Sequence, residues 1–308
     1  MKKNTRRIHI KPADIPEESF RLYVQHLQTR RYSGGTLRMR YMSLRRFFAW
    51  LNERGQTVRD ITPQDLDKYH VHLKGRKLAI NTAFQEMTAV RSFFHYLGES
   101  QYVFLDPAAN LILPRPPREL QHVPTEDDVR KLLAAPKTHT RGGLRDRAFM
   151  EVLYSTGARL EEMASATIFD VDVDRGILKL HGKGSKERLT PLGGTALRWM
   201  KDYLRRRTTL LGDDNPDIES LWLNTRGGVL SYQGAEKIVL RNAQAAGIKA
   251  FSSHALRRAC ATHMLRRGAH PVQIQMLLGH ASLKYLSQYL NVSIGDLQKM
   301  HRQSKPGR

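Results

Sequence analysis

Two tyrosines near the end of the chain are candidates for covalent chemistry on phosphorus. The stretch LLGHASLKYLSQYLNV covers residues 277–292 and places Tyr285 and Tyr289 four residues apart in a predicted short helix. A phenolic oxygen can act as a nucleophile, or the ring can simply pack. Both tyrosines fall on the flank of the helix's apolar stripe, so helical geometry does not choose between them; that stripe comprises Leu283, Leu286 and Leu290.

A second segment, SSHALRRACATHMLRRG, carries an imidazole and two guanidinium groups at helical spacing. The paired serines can cap this helix, which puts His254 in its first turn. Arg257 and Arg258 follow three and four residues later, so both share a flank with His254. His263 lies on the opposite side and is interpreted as a core or surface histidine. An H-x-x-R pair is common on helices, so this segment alone is weak evidence for a site.

Two further motifs hold groups suited to a phosphodiester. In TGARLEEM, Arg159 opens a predicted short helix and Glu162 follows three residues later, so the carboxylate can fix that guanidinium or a neighbour. An ordinary surface ion pair, worth less than ~1 kcal/mol, explains the same pattern. In HGKGSKER, two glycines permit a sharp turn that leaves Lys183 and Lys186 at a hairpin tip. An ammonium there can protonate a leaving oxygen, or it can only grip phosphate.

The elements that must position these groups fall into two blocks. Residues 1–110 are predicted to form an all-helical domain with four helices, IPEESFRLYVQHLQTRR, SGGTLRMRYMSLRRFFAWLNERG, TPQDLDKYHVHLKG and NTAFQEMTAVRSFFHYLG. Thr62 and Pro63 open the third helix, and Gly98 is expected to end the fourth. Prolines concentrated in residues 111–124 predict an extended linker.

Residues 125–308 are predicted to form a mixed α+β domain. TEDDVRKLLAA is a capped helix, and LRDRAFMEVLYSTG is an amphipathic helix that ends at Gly157. GILKLHGKGSKERLTPL alternates like two short strands around a turn. Helical patterns follow in TALRWMKDYLRRR, QGAEKIVLRNAQAAG, SHALRRACATHMLRRG and PVQIQMLLG. The predicted fold class is therefore mainly α with a small β-hairpin or sheet, in two domains.

Charge and composition narrow the class of partner. The 308 residues include 51 Lys and Arg against 29 Asp and Glu, a net charge of +22. The excess is +9 up to residue 113 and +13 beyond it, and two basic domains favour a polyanion such as nucleic acid over a merely soluble surface. Cys260 is the single cysteine, which excludes an intramolecular disulfide and a Cys-based zinc site. No long apolar run or secretory signal is evident, so we expect a cytoplasmic protein without a membrane partner.

Taken together and in order, the motifs resemble those of the tyrosine recombinases, the phage integrase and Xer group. TGARLEEM is similar to TGLR-x-x-EL, HGKGSKERLTPL to GKGNKER-x-x-PL, and SSHALRRACATHML to H-x-L-R-H-x-x-A-T-H-x-L. LLGHASLKYLSQYLNV is similar to LLGHS-x-L-x-x-T-x-x-Y-x-x-V, and the spacing between motifs also agrees. The resemblance covers residues 123–300, and the preceding helical block resembles the family's N-terminal core-binding domain.

The departures from the family pattern are small. Arg258 stands where the family usually has His, and Met163 replaces the usual Leu. Residues 285–287 replace a more polar run before the second tyrosine. None of these positions is an expected catalytic one.

The resemblance also implies residue roles. The implied catalytic set is Arg159, Lys183, His254, Arg257, His280 and the nucleophile Tyr289, with Glu162 in support. Tyr285 is then expected to pack or to touch the DNA backbone. Further contacts with DNA are assigned to Arg40, Arg45, Lys186, Arg188 and Arg258. The implied reaction cleaves and rejoins DNA through a 3′-phosphotyrosyl link, with no metal, ATP or other cofactor.

The implied partner is double-stranded DNA carrying a specific recombination site. Four protomers are expected on the DNA, with or without a second recombinase. A C-terminal helix over residues 293–302 is expected to dock on a neighbouring subunit, and packing within its own subunit is the alternative.

Three other functions compete with recombination. A type IB topoisomerase shares the arginine, lysine and tyrosine chemistry, and an inert DNA-binding protein shares the charge. A metal-dependent nuclease or transposase would need an acidic site such as DVDVDRG, which offers Asp170, Asp172 and Asp174. Arg175 stands where a Ca²⁺ loop needs glycine, and the twelfth position is His181, so this run is interpreted as a polar turn.

Overall fold

The computed structural model describes residues 15, 17–76, 78–113, 123–182, 187–210, 218–249 and 251–279. The chain divides into two compact units, Met1–Glu119 and Leu120–Arg308. Within the described ranges, no helix combines the length and the apolar character needed to cross a bilayer.

The first unit is helical, and its core is aromatic. Its helices are α1 (Glu18–Thr29), α2 (Gly34–Asn52), α3 (Pro63–Gly75) and α4 (Ile80–Glu99). The four-helix prediction is therefore confirmed, and the described part of this unit contains no strand. Phe47 lies at the centre of the core, where its ring meets those of Phe48, Tyr69 and Phe94 edge-on at 5.0–6.1 Å. Such edge-on pairs add to the stability gained from burying large apolar rings.

One helix end in this unit follows the sequence prediction and another does not. Thr62 and Asp65 form a reciprocal capping box at the start of α3, with Pro63 in the first turn. The prediction that Gly98 ends α4 was wrong, because the helix continues through Glu99 and the left-handed residue is Gln101, with φ of 56°. Its N–H bonds to the Gly98 carbonyl at 3.1 Å, and the next N–H reaches back to the Leu97 carbonyl at 2.9 Å. Gly98 instead lies inside the helix, where a built Cβ would be 3.4 Å from Cβ of Asp106.

The second unit contains seven helices and one small sheet among its described residues. The helices are α5 (Glu126–Ala134), α6 (Arg141–Thr156), α7 (Leu160–Ala164), α8 (Gly194–Arg207), α9 (Tyr232–Ala245), α10 (Ser253–Arg266) and α11 (Pro271–Leu278). The strands are β1 (Val171–Asp172), β2 (Ile177–His181) and β3 (Glu187–Pro191), and two 3-10 turns lie at Ile168–Asp170 and Thr208–Leu210. The mainly α fold class with a small sheet is confirmed.

The sheet is antiparallel in the order β1-β2-β3. The predicted hairpin is confirmed, and its last described pair is His181 with Glu187. The run interpreted as a polar turn is turn only in part, since Val171 and Asp172 pair with β2 as an edge strand. Half-buried Val171 packs on the main core, which explains why the chain stays extended there.

Two clusters of apolar side chains hold this unit together. The main core centres on Trp222, whose ring stacks on Tyr203 at 5.0 Å and meets Phe149 edge-on at 5.1 Å. A separate small cluster joins α10 to α11 through Ala261, Leu265, Ile274 and Leu278. Within the part of the chain that the structure describes, the two-turn helix α11 therefore has few apolar partners, and polar contacts at its end contribute to its attachment.

Candidate active site

Arg159 and Glu162 form the first part of the candidate site. Gly157 ends α6 in the left-handed conformation, with φ of 56°, and the chain then turns directly into α7. Arg159 caps α7, and its backbone N–H and its Nη1 donate to the two carboxylate oxygens of Glu162 at 2.9 and 2.8 Å. The Glu162 side chain is only 5% exposed whereas that of Arg159 is 43% exposed. This pair is thus anchored at its acidic end, unlike a surface ion pair, and the guanidinium can still meet a ligand.

The carboxylate of Glu162 serves a second guanidinium. Arg188 on β3 donates from Nη2 to Oε2 of Glu162 at 2.7 Å. Burial of the carboxylate favours its neutral form, but the hydrogen bonds and positive charges of Arg188 and Arg159 outweigh burial and lower the pKa of Glu162 to about 2. Glu162 is therefore ionised at neutral pH, and two cations face one anion here.

Arg257 lies in the first turns of α10 and is 4% exposed. Its Nη1 donates to the carbonyl of Gly157, two residues before Arg159, and its Nη2 donates to the carbonyl of Leu278 at 2.8 Å. One guanidinium thus joins the turn before α7 to the end of α11. The Leu278 carbonyl is at the negative end of a helix, where a cation is stabilised.

His254 shares this cationic environment. Ser252 caps α10 by accepting the N–H of Ala255, so His254 occupies the first turn as predicted. The imidazole is partly shielded from water, and this shielding together with the charges of Arg257, Arg258 and Arg159 lowers the pKa of His254 below its ordinary 6.5. Glu236 on α9 acts in the opposite direction without reversing the shift. The ring is therefore neutral at pH 7, and one nitrogen can accept a proton.

The end of α11 is held by two guanidinium groups on successive carbonyls. Arg188 donates from Nε to the Leu277 carbonyl at 2.9 Å, beside the bond from Arg257 to Leu278. Gly279 ends the helix in the left-handed conformation, with φ of 64°. The sequence prediction had assigned Arg188 to DNA, and the structure gives its side chain, 13% exposed, these two intramolecular partners.

Contacts between one histidine and two carboxylates also close the base of the hairpin. His181 places one ring nitrogen 2.7 Å from Asp170 and the other 3.0 Å from Glu187. These bonds fix the strands at the positions that flank residues 183–186. Lys183 and Lys186 themselves lie outside the described residues. Sequence reasoning missed the role of His181, because its partners come from two other elements.

Several other predicted residues also fall outside the described part. They are His280, Tyr285, Tyr289 and the predicted helix over residues 293–302. His280 follows Gly279 directly in the chain, so the described structure fixes the point from which that segment departs.

The remaining predicted DNA contacts are spread over both units. Arg40 on α2 donates to the Tyr23 hydroxyl at 2.5 Å and lies over the Tyr32 ring, whereas Arg45 is exposed on the same helix. Arg258 on α10 is half-buried, and its charge is among those that act on His254. Their assignment to DNA stays a prediction.

The acidic run and His263 have structural partners. Asp170 accepts from Thr167 and contacts His181, and Asp172 accepts the N–H groups of Asp174 and Arg175 to form a turn. No group of three or more His, Cys, Asp or Glu side chains that could hold a metal ion occurs within the described residues. His263 is buried between the Tyr154 hydroxyl and the Pro124 carbonyl, which confirms its interpretation as a core histidine.

A cavity of about 530 Å³ elsewhere in the second unit is lined by parts of α5, α6 and the start of α8, together with Arg267. Among the described residues, its lining includes no member of the predicted catalytic set. The arginine centre, which comprises Arg159, Arg188 and Arg257 with Glu162, is thus distinct from this cavity, and its partly exposed Arg159 suits a large ligand that lies on the surface.

Comparison with known proteins matches both units to one family. Residues 123–294 match the model described as the phage integrase family, and residues 20–101 match its N-terminal SAM-like domain. Tyrosine recombinase XerD of Chlorobaculum tepidum is 34% identical over 290 residues, which cover 92% of this chain and 95% of that protein. Tyrosine recombinase XerC 2 of Ralstonia nicotianae is 36% identical, with coverage of 90% and 82%. The chain belongs to the phage integrase family of tyrosine recombinases.

Solved structures show the same fold for this tyrosine recombinase. XerH site-specific recombinase, bound to a palindromic difH substrate after cleavage, gives a TM-score of 0.73 at 18% identity, covering 96% of this chain and 90% of its own. A lambda integrase (75–356) dimer bound to a COC′ core site gives 0.69 at 20% identity, with coverage of 88% and 93%. The curated relatives place the chain in the enzyme class of tyrosine site-specific recombinases.

We expect Gly157→Ala to destabilise the recombinase and to disturb its arginine centre. A Cβ there would lie 2.5 Å from Cδ2 of fully buried Leu278 and 3.2 Å from Sγ of Cys260, on a backbone with positive φ. Left-handed strain of about 1–2 kcal/mol and overpacking of about 1–3 kcal/mol should together lower the free energy of unfolding, measured by urea titration.

Gly247→Ala is the matched control for this substitution. Gly247 has φ of 72° and no atom within 4 Å of its built Cβ, so alanine there introduces the strain without the clash. Equal losses of stability in the two variants would contradict close packing between the Gly157 turn and α11.

Proposed function

We propose that the protein binds double-stranded DNA at a specific recombination site in the cytoplasm and exchanges strands there through a covalent tyrosine intermediate. Support comes first from charge, since both halves of the sequence are basic, at +9 and +13. Contacts with phosphates release counterions, so such a surface favours duplex binding before any base is read. The two neighbours described above are DNA complexes, which supports the same partner.

The observation that carries the proposal is the arginine centre around a neutral histidine. Arg159 and Arg257 supply the positive charge that a phosphodiester needs as negative charge grows on its non-bridging oxygens. Fixed donors in comparable oxyanion sites are worth roughly 3–4 kcal/mol each. Because Glu162 is shared with Arg188, Arg159 is not fully neutralised by its own carboxylate.

The proposed reaction exchanges one ester bond for another. The phenolic oxygen of Tyr289 attacks phosphorus, a P–O(Tyr) bond forms, and the bond from phosphorus to the 5′-oxygen breaks. His254 accepts the phenolic proton or hydrogen-bonds the phosphate, and Lys183 protonates the leaving 5′-oxygen. His280 supports the non-bridging oxygens. A 5′-hydroxyl from the same or a partner strand then reverses the step, so we propose that neither metal nor ATP takes part.

Recombination joins two duplexes, so we propose four protomers in the working complex. A lambda integrase tetramer bound to a Holliday junction is among the structural neighbours, with a TM-score of 0.70 at 20% identity. Within residues 293–302, Ile294, Leu297 and Met300 recur at helical spacing and supply an apolar face for docking on a neighbour. Residues 111–124 are proposed to connect the two domains.

Tyr289→Phe should abolish the covalent protein–DNA adduct and leave DNA binding unchanged. The substitution removes the attacking oxygen and keeps the ring. The wild-type protein is incubated with fragmented bacterial DNA, the covalent adduct is isolated under denaturing conditions, and its DNA is sequenced. DNA binding is then measured on a duplex of that sequence. Tyr285→Phe is the matched control and should retain the adduct. An adduct with Tyr289→Phe and none with Tyr285→Phe would reassign the nucleophile, and no adduct from the wild type would indicate an inert binder.

The rate of adduct formation at limiting DNA should be independent of pH well above 6.5 and should fall at acidic pH. The pKa of His254 lies below its ordinary 6.5, so the proton-accepting form predominates above that value and is lost as pH falls through the lowered pKa. Each pH unit below that pKa then costs about tenfold in rate. His254→Gln should be slower and should lack this acidic limb. A limb with its midpoint above pH 6.5, with DNA affinity constant, would contradict the proposed role.

Deleting residues 293–308 should weaken the pairing of two duplexes more than the occupancy of a single site. Occupancy of a single site is measured by electrophoretic mobility of one duplex that carries the captured sequence, and pairing is measured in the same way with two such duplexes. Replacing Ile294, Leu297 and Met300 by serine removes the apolar face and keeps the segment's basic residues. If apolar docking drives assembly, this variant should match the deletion. Equal loss of pairing and single-site binding would count against docking in trans.

A further inference from the structure

Arg188 occupies an unusual position for a residue expected to touch DNA. In β3 its neighbours Glu187 and Leu189 are exposed, Leu189 by 67%, whereas Thr190 is fully buried. Successive strand residues point to opposite faces, so Arg188 and Thr190 share the inward face. A cation on an inward face requires partners, and the structure provides two of different kinds.

The first partner is the carboxylate that also holds Arg159. Oε1 of Glu162 accepts from the Arg159 guanidinium, and Oε2 accepts from the Arg159 backbone N–H and from Arg188. All three bonds lie between 2.7 and 2.9 Å, and the carboxylate is buried. The position of Glu162, and through it that of Arg159, therefore depends on Arg188.

The second partner is the end of α11. Nε of Arg188 donates to the Leu277 carbonyl, and the arginine stem packs on the backbone of Gly279. A Cβ built on Gly279 would lie 3.1 Å from Cδ and from Nη1 of Arg188. The chain passes from this glycine directly to His280, and Tyr289 follows nine residues later.

We infer that Arg188 is a positioning residue that sets Arg159 relative to the start of the segment carrying His280 and Tyr289. It acts through Glu162 and the Leu277 carbonyl, and not by binding phosphate. This inference rests on the proposed function, and it replaces direct DNA contact as the role of Arg188.

The geometry of the two acceptors explains why a guanidinium is needed. Arg188 serves a carboxylate from Nη2 and a carbonyl from Nε, two donors held at a fixed angle in one planar group. A lysine at this position would keep the charge but would present a single ammonium on a flexible stem. Substitution of Arg188 by lysine can therefore test the effect of its charge separately from the effect of its guanidinium geometry.

The test compares Arg188→Lys and Arg188→Met with the wild type on a nicked duplex carrying the sequence captured by the wild type. Both variants should form adduct about 100-fold more slowly at saturating DNA, because misplacing reacting groups by about 1 Å has this effect. The dissociation constant for the duplex should stay unchanged. The charge retained in Arg188→Lys should not rescue the rate.

Arg207→Lys is the matched control. Arg207 is another buried arginine of the same unit, and its guanidinium donates to the carbonyls of Ile218, Ser220 and Leu221, none of which belongs to the predicted site. Its substitution should lower the thermal midpoint without slowing the adduct step in folded protein.

A second readout is independent of DNA chemistry. Amide hydrogen exchange of the peptide covering α11 and Gly279 should be faster in both Arg188 variants of the full chain and unchanged in Arg207→Lys.

The outcomes separate the inference from the proposed function. Weaker DNA binding with a normal rate at saturation would make Arg188 a DNA contact and overturn the inference, as would a wild-type rate in Arg188→Lys or unchanged exchange at α11. A wild-type protein that forms no adduct on any captured or genomic DNA would overturn the proposed function, and the inference with it.

Discussion

The candidate site depends on one buried carboxylate shared by two guanidinium groups. An isolated anion at the position of Glu162 would be strongly unfavourable, and it is stable there because Arg159, Arg188 and a backbone N–H all donate to it. The pKa of about 2 keeps Glu162 ionised at neutral pH. Two cations against one anion leave a local positive excess beside the partly exposed Arg159, which is what recognition of a phosphodiester requires.

Arg188 and Arg257 connect helices and strands that are far apart in the chain. Arg188 joins β3 to α7 and α11, and Arg257 joins α10 to the turn before α7 and to α11. Among the described residues, α11 shares a small apolar cluster with α10, and cations bound to its last two carbonyls help to place it. Arg257, a predicted catalytic residue, is therefore also part of the architecture.

Local signals were sufficient for much of this fold. A capping box lies within four residues, so the starts of α3 and α5 could be predicted from Thr62 and Thr125 with their partners. The pairing of Arg159 with Glu162 is local in the same way. The bonds from Arg188 reach 26 and 89 residues along the chain, and no pattern within a window specifies such partners. The sequence of β3 gave no such signal, since its apolar residue Leu189 is 67% exposed whereas Arg188 shares the inward face with polar Thr190.

The structure also differs from the sequence prediction at strand β1 and at the end of α4. The edge strand at Val171 exists because β2 pairs with it, and α4 continues past Gly98 because Gln101 adopts the left-handed conformation instead. The choice between Tyr285 and Tyr289 rests on the resemblance to the family, since helical spacing treats them alike.

The intramolecular bonds of Arg188 and Arg257 should respond to ionic strength differently from the contacts between the protein and DNA. Attraction between a basic surface and DNA weakens steeply as salt competes for the phosphates. The bonds of Arg188 and Arg257 are largely inaccessible to ions, because the side chains of Arg188, Arg257 and Glu162 are at most 13% exposed and two of the acceptors are neutral carbonyls. Rising salt should thus dissociate the protein from DNA while the bonds of the arginine centre stay intact, so that the protein can bind another duplex.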